Sequence, residues 1–150
     1  MEISLTGVVG AGTMGHGIAQ AFLRQGFSVA LHDASPERLK RGAENIARGL
    51  ARDVEKGRLA EAEKQAALKR LQTAAKLPEL ATADLVIEAV TENFEVKADV
   101  FQALDVVCRP ETIFASNTSS ISITRLAAAT ERAMERLMAE DPAAAPLGRP

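Results

Sequence analysis

A glycine-rich stretch near the start of the chain has a spacing of residues that could bind a ligand. It follows the short apolar run Ile3–Val9, precedes a segment with helical spacing of apolar residues, and consists of Gly10-Ala11-Gly12-Thr13-Met14-Gly15. Gly10 permits a tight turn, Gly12 lets the backbone approach a pyrophosphate, and Gly15 lets the helix pack closely on the strand. The free N–H groups and partial positive charge at a helix start favour phosphate binding. The stretch therefore predicts a dinucleotide site.

An acidic residue follows the second predicted strand. Asp33 comes directly after the run Ser28–His32, where a dinucleotide-binding fold places the carboxylate that accepts hydrogen bonds from a ribose. Its charge would repel the 2′-phosphate of NADP, and Ala34 supplies no arginine to bind one, so the pattern favours NAD. FAD shares the glycine fingerprint and stays an alternative. A second alternative is a glycine turn that only packs a helix, with Asp33 as a polar strand end.

A cluster of hydroxyl side chains ends another predicted strand. Residues 116–120 have the sequence SNTSS and follow the short run Thr112–Ala115. A hydroxyl such as that of Ser119 can polarise a carbonyl or hold an alcohol, but it needs an adjacent base to deprotonate an alcohol. The two histidines of the chain, His16 and His32, lie far upstream. From the residues alone, a Ser/Thr turn or a helix cap is the alternative to a binding loop.

The elements that must position these groups alternate along the chain. Periodicity and turn residues predict five strands, over Ile3–Val9, Ser28–His32, Gln72–Ala75, Asp84–Val90 and Thr112–Ala115. Helical segments separate them, and this alternation predicts a parallel sheet covered on both faces. The expected fold class is α/β, with a doubly wound parallel sheet.

One helical segment is interrupted and is expected to form a hairpin. The pair Ser35–Pro36 suits the N-cap and first position of a helix that ends near Gly57, and a second helix is expected over Glu61–Leu71. A later helix is expected to bury one face, formed by Val96, Val100, Leu104 and Val107. A last helix is expected over about 123–140, and the remaining tail lacks periodicity and is expected to be unstructured.

Composition, charge and cysteine content restrict the class of protein. One domain with a real core suits 150 residues of which 47% are hydrophobic and 25% charged. A net charge of −2 gives no case for nucleic acid as a partner, and no apolar run is long enough to span a membrane. Cys108, the single cysteine, excludes an internal disulfide, suits a reducing compartment and is expected to be buried. No Cys/His spacing predicts a metal site. An apolar segment already at Ile3 leaves no room for a leader, so the expected location is the cytoplasm.

Two further strings, taken with the glycine loop and Asp33, resemble a known family. ADLVIEAVTENFEVK at 83–97 and IFASNTSSISIT at 113–124 are similar to the NAD-binding half of the 3-hydroxyacyl-CoA dehydrogenases, including the bacterial 3-hydroxybutyryl-CoA enzymes. The resemblance runs from about Ile3 to Thr130. It implies a Rossmann-type domain with an inserted helical hairpin, and NAD as the cofactor. The implied reaction belongs to fatty acid metabolism: reversible oxidation of a 3-hydroxyacyl-CoA to the 3-oxoacyl-CoA.

The resemblance implies roles for residues at matching positions. The loop Gly10–Gly15 would hold the pyrophosphate, and Asp33 would hold the adenosine ribose. Glu92 and Lys97 would lie on the nicotinamide ribose side of the cofactor. From the residues alone, Glu92 is equally a first-turn acid of the following helix, and Lys97 an exposed helical residue.

The resemblance also implies which residues meet the substrate. Ser119 matches the serine that contacts both the nicotinamide and the 3-oxygen of the substrate, and it is the catalytic residue implied here. Asn117 would help to shape the same cofactor-binding loop. The hairpin matches the element that contacts coenzyme A, with Lys56 in that contact. A mixed-charge face that is only solvated is the alternative.

The resemblance ends soon after the hydroxyl loop. In the family, a strand with the catalytic histidine, its partner glutamate and a helical dimerisation domain follow, and Ala133–Pro150 resembles none of these. The NAD-binding domain is therefore expected over 1–130, with a divergent helical or disordered tail at 131–150. We expect such a chain to bind NAD and an acyl-CoA but to turn over poorly or not at all by itself. Surface that the helical half would cover is expected to promote self-association.

Three explanations fit a chain of this kind. It is a fragment or domain of a longer dehydrogenase, a truncated or frame-shifted product, or a stand-alone nucleotide-binding module that acts by binding and not by catalysis.

Overall fold

The computed structural model describes residues 2–130, which form one five-stranded parallel sheet flanked by helices. The strands are β1 (Leu5–Val9), β2 (Ser28–His32), β3 (Leu71–Ala74), β4 (Leu85–Glu88) and β5 (Ile113–Ser116). The helices are α1 (Thr13–Arg24), α2 (Pro36–Glu55), α3 (Glu61–Arg70), α4 (Phe94–Val107) and α5 (Ile123–Ala127), with a 3₁₀ turn at Leu77–Leu80. The strand order β3-β2-β1-β4-β5 confirms the predicted doubly wound sheet, because the chain passes from one edge back to the other side of β1.

The last residues of the five strands lie level with one another across the sheet. Val9 at the end of β1 pairs with His32 of β2 on one side and with Glu88 of β4 on the other. Glu88 pairs in turn with Ser116 of β5, and His32 pairs with Ala74 of β3. Because the strands are parallel, the loops that follow them leave from one carboxyl edge. In a doubly wound fold this edge binds ligands, beside the reversal of strand order between β1 and β4.

Two apolar clusters hold the helices against the sheet. On one face, α1 and α2 pack on β2 through Leu23, Ile46 and Leu31, all 0% exposed. In the second cluster, the 3₁₀ turn and α4 pack against β4 through Leu80 and Leu104, which are also fully buried. The two clusters therefore fix the positions of the helices that begin at the carboxyl edge of the sheet.

The helical hairpin begins and ends at the predicted turn residues. Ser35 is the N-cap of α2, its hydroxyl accepts a backbone hydrogen bond, and Pro36 follows at the first helical position. Gly57 lies just beyond the helix with a φ of +68°, a left-handed conformation that favours glycine. The second helix ends at Arg70, one residue before the predicted end, because Leu71 already belongs to β3.

The buried face of α4 differs from the predicted one. Leu104 is fully buried as predicted, but Val96 is 39% exposed, while Lys97 and Phe101 are 1% and 5% exposed. The other two predicted positions are only partly buried. A charged lysine is buried only where a partner satisfies it, and that partner lies outside the helix. The prediction from helical spacing is therefore wrong about Val96 because spacing within one helix contains no information on such a partner.

The end of the described chain agrees in part with the prediction. α5 spans Ile123–Ala127, and residues 128–130 leave the helix, so the predicted helix is shorter than expected there. Positions 131–140 of that helix, and the tail from 141, lie outside the described residues. Cys108 is buried as predicted. No helix within residues 2–130 has both the length and the apolar character needed to cross a membrane.

Candidate dinucleotide-binding site

The loop between β1 and α1 has space only for glycine at two positions. Gly10 has a φ of +104°, and a Cβ atom there would lie 2.5 Å from the carbonyl oxygen of Ala89. A Cβ atom at Gly15 would lie 1.6 Å from the carbonyl oxygen of Gly10. These approaches bring the first turn of α1 directly over the end of β1. The backbone N–H groups of this turn therefore face the carboxyl edge.

Gly12, between these two positions, has a different environment. It is the N-cap of α1, with a φ of −71° that any residue adopts, and a Cβ atom on it would meet nothing within 4 Å. It lines an open cleft of about 520 Å³. The protein itself provides no steric reason for glycine here, so the space beside Gly12 suits a ligand that approaches the backbone. Thr13 and Met14 follow as exposed residues of α1.

The cleft has a polar end and an apolar wall. Asp33 and Arg38 line it beyond β2, and Leu77, Val96 and Val100 line it on the side of the 3₁₀ turn and α4. The exposure of Val96 follows from this position, since it belongs to the cleft and not to the core. An apolar wall beside a carboxylate suits a flat base attached to a ribose.

Asp33 is a buried carboxylate, 7% exposed, that binds the glycine loop directly. Its Oδ2 accepts a hydrogen bond from the N–H of Ala11 at 2.9 Å. Its Oδ1 accepts from the N–H of Ser35 at 2.9 Å and from Nε of Arg38 at 3.1 Å. Burial alone would raise the pKa of Asp33, but these donors outweigh it and hold the pKa below its usual value. The group is therefore ionised at neutral pH, and Oδ2 retains a lone pair for a ribose hydroxyl.

A second buried carboxylate lies at the end of β4, across the strand reversal from Asp33. Glu88 is 0% exposed, and its Oε1 accepts hydrogen bonds from the ammonium of Lys97 at 2.6 Å and the N–H of Val90 at 2.7 Å. Its Oε2 accepts one from the hydroxyl of Ser116 at 2.6 Å, and its carbonyl accepts one from the N–H of Asn117 at 2.8 Å. Removing one member of such an enclosed ion pair leaves a buried charge unpaired, which costs about 3–5 kcal/mol.

The predicted pair of Glu92 and Lys97 is divided between two environments. Lys97 is buried against Glu88, which excludes the alternative of an exposed helical lysine. Glu92 is exposed, and its carboxylate accepts a hydrogen bond from the hydroxyl of Thr118 at 2.5 Å. Asn93 caps α4, so Glu92 precedes the helix and is not its first-turn acid. The position of both residues beside a nicotinamide ribose stays a prediction.

The hydroxyls that follow β5 fall into two groups. Those of Ser116 and Thr118 are bonded within the protein, and Thr118 also accepts a hydrogen bond from the N–H of Ile121 at 3.0 Å. Ser119 is exposed, and its side chain makes no hydrogen bond within residues 2–130. Ser122 caps α5, so the helix-cap alternative applies to Ser122. Ser119 is therefore available to a ligand at the carboxyl edge.

Other candidate residues lie apart from this loop. Lys56 is exposed at the far end of α2, a helix that starts beside Asp33 and extends about 30 Å. His32 lies three strands from Ser116, about 14 Å across the sheet, and its Nδ1 donates to the carbonyl oxygen of Ala74 at 2.9 Å. His16 belongs to α1. Neither histidine belongs to the loops after β4 or β5.

Three residues of the site were not candidates from the sequence. Glu88 left a signal, because a carboxylate within an apolar run needs a partner if it is buried, and Lys97 follows on the next helix. Ser116 begins the hydroxyl cluster, but its pairing with β4 depends on strand order. Arg38 has no signal in the residue next to Asp33, because it lies five residues further on, in α2. Among the described residues, no group of His, Cys, Asp and Glu could hold a metal ion.

The glycine loop over β1, the acid after β2 and the cleft at the carboxyl edge define a Rossmann-type dinucleotide-binding domain. The family model described as the 3-hydroxyacyl-CoA dehydrogenase NAD binding domain matches residues 5–139. The chain belongs to this family, and its cofactor is NAD, not FAD. The match extends past Thr130, where the resemblance in the motifs ended.

Relatives and solved structures agree with this assignment. The chain is 52% identical to the 3-hydroxybutyryl-CoA dehydrogenase of Bradyrhizobium diazoefficiens and 46% identical to a probable 3-hydroxybutyryl-CoA dehydrogenase of Bacillus subtilis, over 87% and 88% of its length. The crystal structure of (S)-3-hydroxybutyryl-CoA dehydrogenase from Ralstonia eutropha matches with a TM-score of 0.85, at 44% identity, over 89% of this chain. The matched parts are 44%, 46% and 47% of those proteins, so the chain spans less than half their length.

Substitution of Gly12 should separate cofactor binding from folding. We expect Gly12→Ala to leave the midpoint of thermal unfolding unchanged, because its Cβ enters open space. It should weaken NADH binding about tenfold, because the methyl group occupies the space of the approaching pyrophosphate. The fluorescence of NADH measures the binding directly, since the chain has no Trp or Tyr.

Gly15→Ala is the matched control, because the same methyl group collides with the carbonyl of Gly10 inside the protein. This variant should lose thermal stability and NADH binding together. If Gly12→Ala bound NADH as tightly as the wild-type chain, the pyrophosphate would not lie at Gly12.

Proposed function

We propose that this chain provides the NAD-binding half of an enzyme that oxidises a 3-hydroxyacyl-CoA to the 3-oxoacyl-CoA. The exposed hydroxyl of Ser119 supports this most, because it lies on the loop after β5, at the same edge of the sheet as the glycine loop and Asp33. The names of the relatives from Bradyrhizobium diazoefficiens and Bacillus subtilis support the same class of substrate.

The cofactor fits this edge in one direction. With the adenosine ribose at Asp33 and the pyrophosphate at Gly12, the second nucleoside crosses the strand reversal towards β4 and β5. The nicotinamide ribose then lies on the side of Glu92 and Lys97. When bound, NAD supplies the acceptor for the hydride that leaves C3 of the hydroxyacyl group.

Ser119 would act at the 3-oxygen of the substrate, and Asn117 would shape the loop that presents it. A serine hydroxyl orients this oxygen but does not remove its proton, because that step needs a base. An imidazole, with a pKa near 6.5, suits the task. Within residues 2–130, His16 and His32 both lie outside the loops at the reacting end. The described part of the chain would therefore bind and orient the substrate without a histidine at the reacting end.

The hairpin of α2 and α3 would receive coenzyme A. Lys56 is exposed at the end of α2, where its ammonium is accessible to a phosphate. Further exposed cations on the hairpin would add to this attraction, and they include Arg48, Arg52 and Arg58. The proposed partner is thus an acyl-CoA, held by its phosphates at the hairpin and by its acyl end near Ser119.

A stand-alone nucleotide-binding module is the second candidate function. The described residues hold the elements of a dinucleotide site, and no histidine among them lies at the reacting end. The mass of the native polypeptide in its source cell distinguishes the two, because a product about twice this length favours the dehydrogenase. We place either form in the cytoplasm, since the single buried thiol of Cys108 suits a reducing compartment.

The isolated chain should bind NADH without turning it over. We expect no acetoacetyl-CoA-dependent loss of NADH absorbance with the purified 150-residue chain, because within the described residues no histidine lies at the reacting end to donate the proton that the 3-oxygen takes up in this direction. A full-length 3-hydroxybutyryl-CoA dehydrogenase, assayed in parallel, provides the positive control. Measurable turnover by this chain, lost in Ser119→Ala, would contradict this expectation.

The chain should self-associate as its concentration rises. Four large apolar side chains are exposed on the described surface: Met14 at 57%, Val96 at 39%, Val106 at 86% and Ile123 at 48%. Exposed apolar surface of this kind favours association. Sedimentation velocity should show a rising sedimentation coefficient that the double variant Val106→Ser/Ile123→Ser reduces. A single monomeric species at the highest concentration would contradict the proposal.

A further inference from the structure

We propose that Glu88 and Ser116 are positioning residues, which hold the loops after β4 and β5 in one fixed arrangement for the nicotinamide half of the cofactor. This inference rests on the proposed binding direction, in which the nicotinamide lies over β4 and β5. Among the described residues, the Glu88 side chain makes no hydrogen bond to the glycine loop or to Asp33. It would act through the two loops that it joins.

The two loops are joined by a series of hydrogen bonds that runs from Glu88 to Glu92. The Ser116 hydroxyl, at the end of β5, donates to Oε2 of Glu88, at the end of β4. The N–H of Thr118 donates to the Ser116 oxygen at 3.2 Å, and the Thr118 hydroxyl donates to Glu92 in the loop after β4. The connection therefore leaves β4 at Glu88, passes through the β5 loop and returns at Glu92. Ser119 directly follows Thr118, which completes this connection.

The charge on Glu88 fixes the direction of these hydrogen bonds. Glu88 is fully buried, and Lys97, itself 1% exposed, supplies the opposite charge at 2.6 Å. An ionised carboxylate only accepts hydrogen bonds, so the Ser116 hydroxyl must donate to it. The Ser116 oxygen is then left as an acceptor for the N–H of Thr118. Each hydroxyl thus has one orientation, which leaves the backbone before Ser119 with one preferred position.

The position of this network separates it from the adenosine half of the site. Asp33 and the glycine loop hold the adenosine ribose and pyrophosphate at the ends of β2 and β1. Glu88 and Ser116 lie on the other side of the strand reversal. Weakening the network should therefore weaken binding of the nicotinamide nucleoside without changing binding of the adenosine diphosphate part.

The test compares NADH with ADP, which lacks the nicotinamide and its ribose. Ser116→Ala removes the hydroxyl that joins the loops and leaves the Glu88–Lys97 ion pair intact. We expect this variant to bind NADH about 3- to 10-fold more weakly, while its affinity for ADP stays within about twofold of wild type. Ser116→Thr retains the hydroxyl and should restore NADH binding. NADH is followed by its fluorescence and ADP by titration calorimetry.

Ser28→Ala is the matched control, because this half-buried serine lies at the amino end of β2, on the opposite edge of the sheet. It should leave both affinities unchanged. Unchanged NADH binding in Ser116→Ala, or equal losses of NADH and ADP binding, would overturn the inference. A wild-type chain that binds neither ligand would instead contradict the proposed function itself.

A second variant tests the same network if Ser116→Ala does not fold. Glu88→Gln/Lys97→Met removes both charges at once and keeps similar volumes, so neither buried charge is left unpaired. It should show the same selective loss of NADH affinity with ADP binding retained. Wild-type affinity for both ligands in this double variant would overturn the inference.

Discussion

The close approach of α1 to the end of β1 is the constraint on which the site depends. Gly15 lies so near the carbonyl of Gly10 that no side chain fits between them. The first turn of α1 therefore presents its N–H groups at the carboxyl edge of the sheet. Two neighbours hold the loop in this position: Asp33 accepts the N–H of Ala11, and Gly42 of α2 leaves space for the same residue, since a Cβ there would lie 2.8 Å from its carbonyl oxygen.

The two halves of the site are held by different means. Backbone geometry fixes the half over β1 and β2, with one ionised carboxylate joining the strand end to the glycine loop. Side chains fix the half over β4 and β5, where the buried pair of Glu88 and Lys97 anchors hydroxyls from the next strand. The first half suits a phosphate group common to many nucleotides. In the proposed binding direction, the second half would orient the loops around the nicotinamide.

Features that depend on neighbouring residues in the chain could be predicted from the sequence. The parallel strands, the turn at Gly10 and the cap at Ser35 each follow from short local patterns. The spacing between the glycine loop and Asp33 also predicted their proximity, which the hydrogen bond to Ala11 shows directly.

Features that depend on distant pairing could not be predicted in this way. The burial of Lys97 requires Glu88 from another element, and the role of Ser116 requires that β5 lies beside β4. The helical spacing of apolar residues predicts Val96 in the core, yet an apolar residue suits the wall of a cleft equally well. The prediction is therefore wrong about what each face of α4 contacts, although it is right about the helix itself.

We propose that NAD binds at the carboxyl edge and that the ionised carboxylate of Asp33 selects NAD over NADP. Calorimetric titration of the 150-residue chain with NADH and with NADPH tests this directly. We expect one NADH site per chain and NADPH binding weaker by about tenfold or more, because a 2′-phosphate cannot donate the hydrogen bond that a 2′-hydroxyl gives to Asp33. NADPH binding as tight as that of NADH would contradict this selectivity.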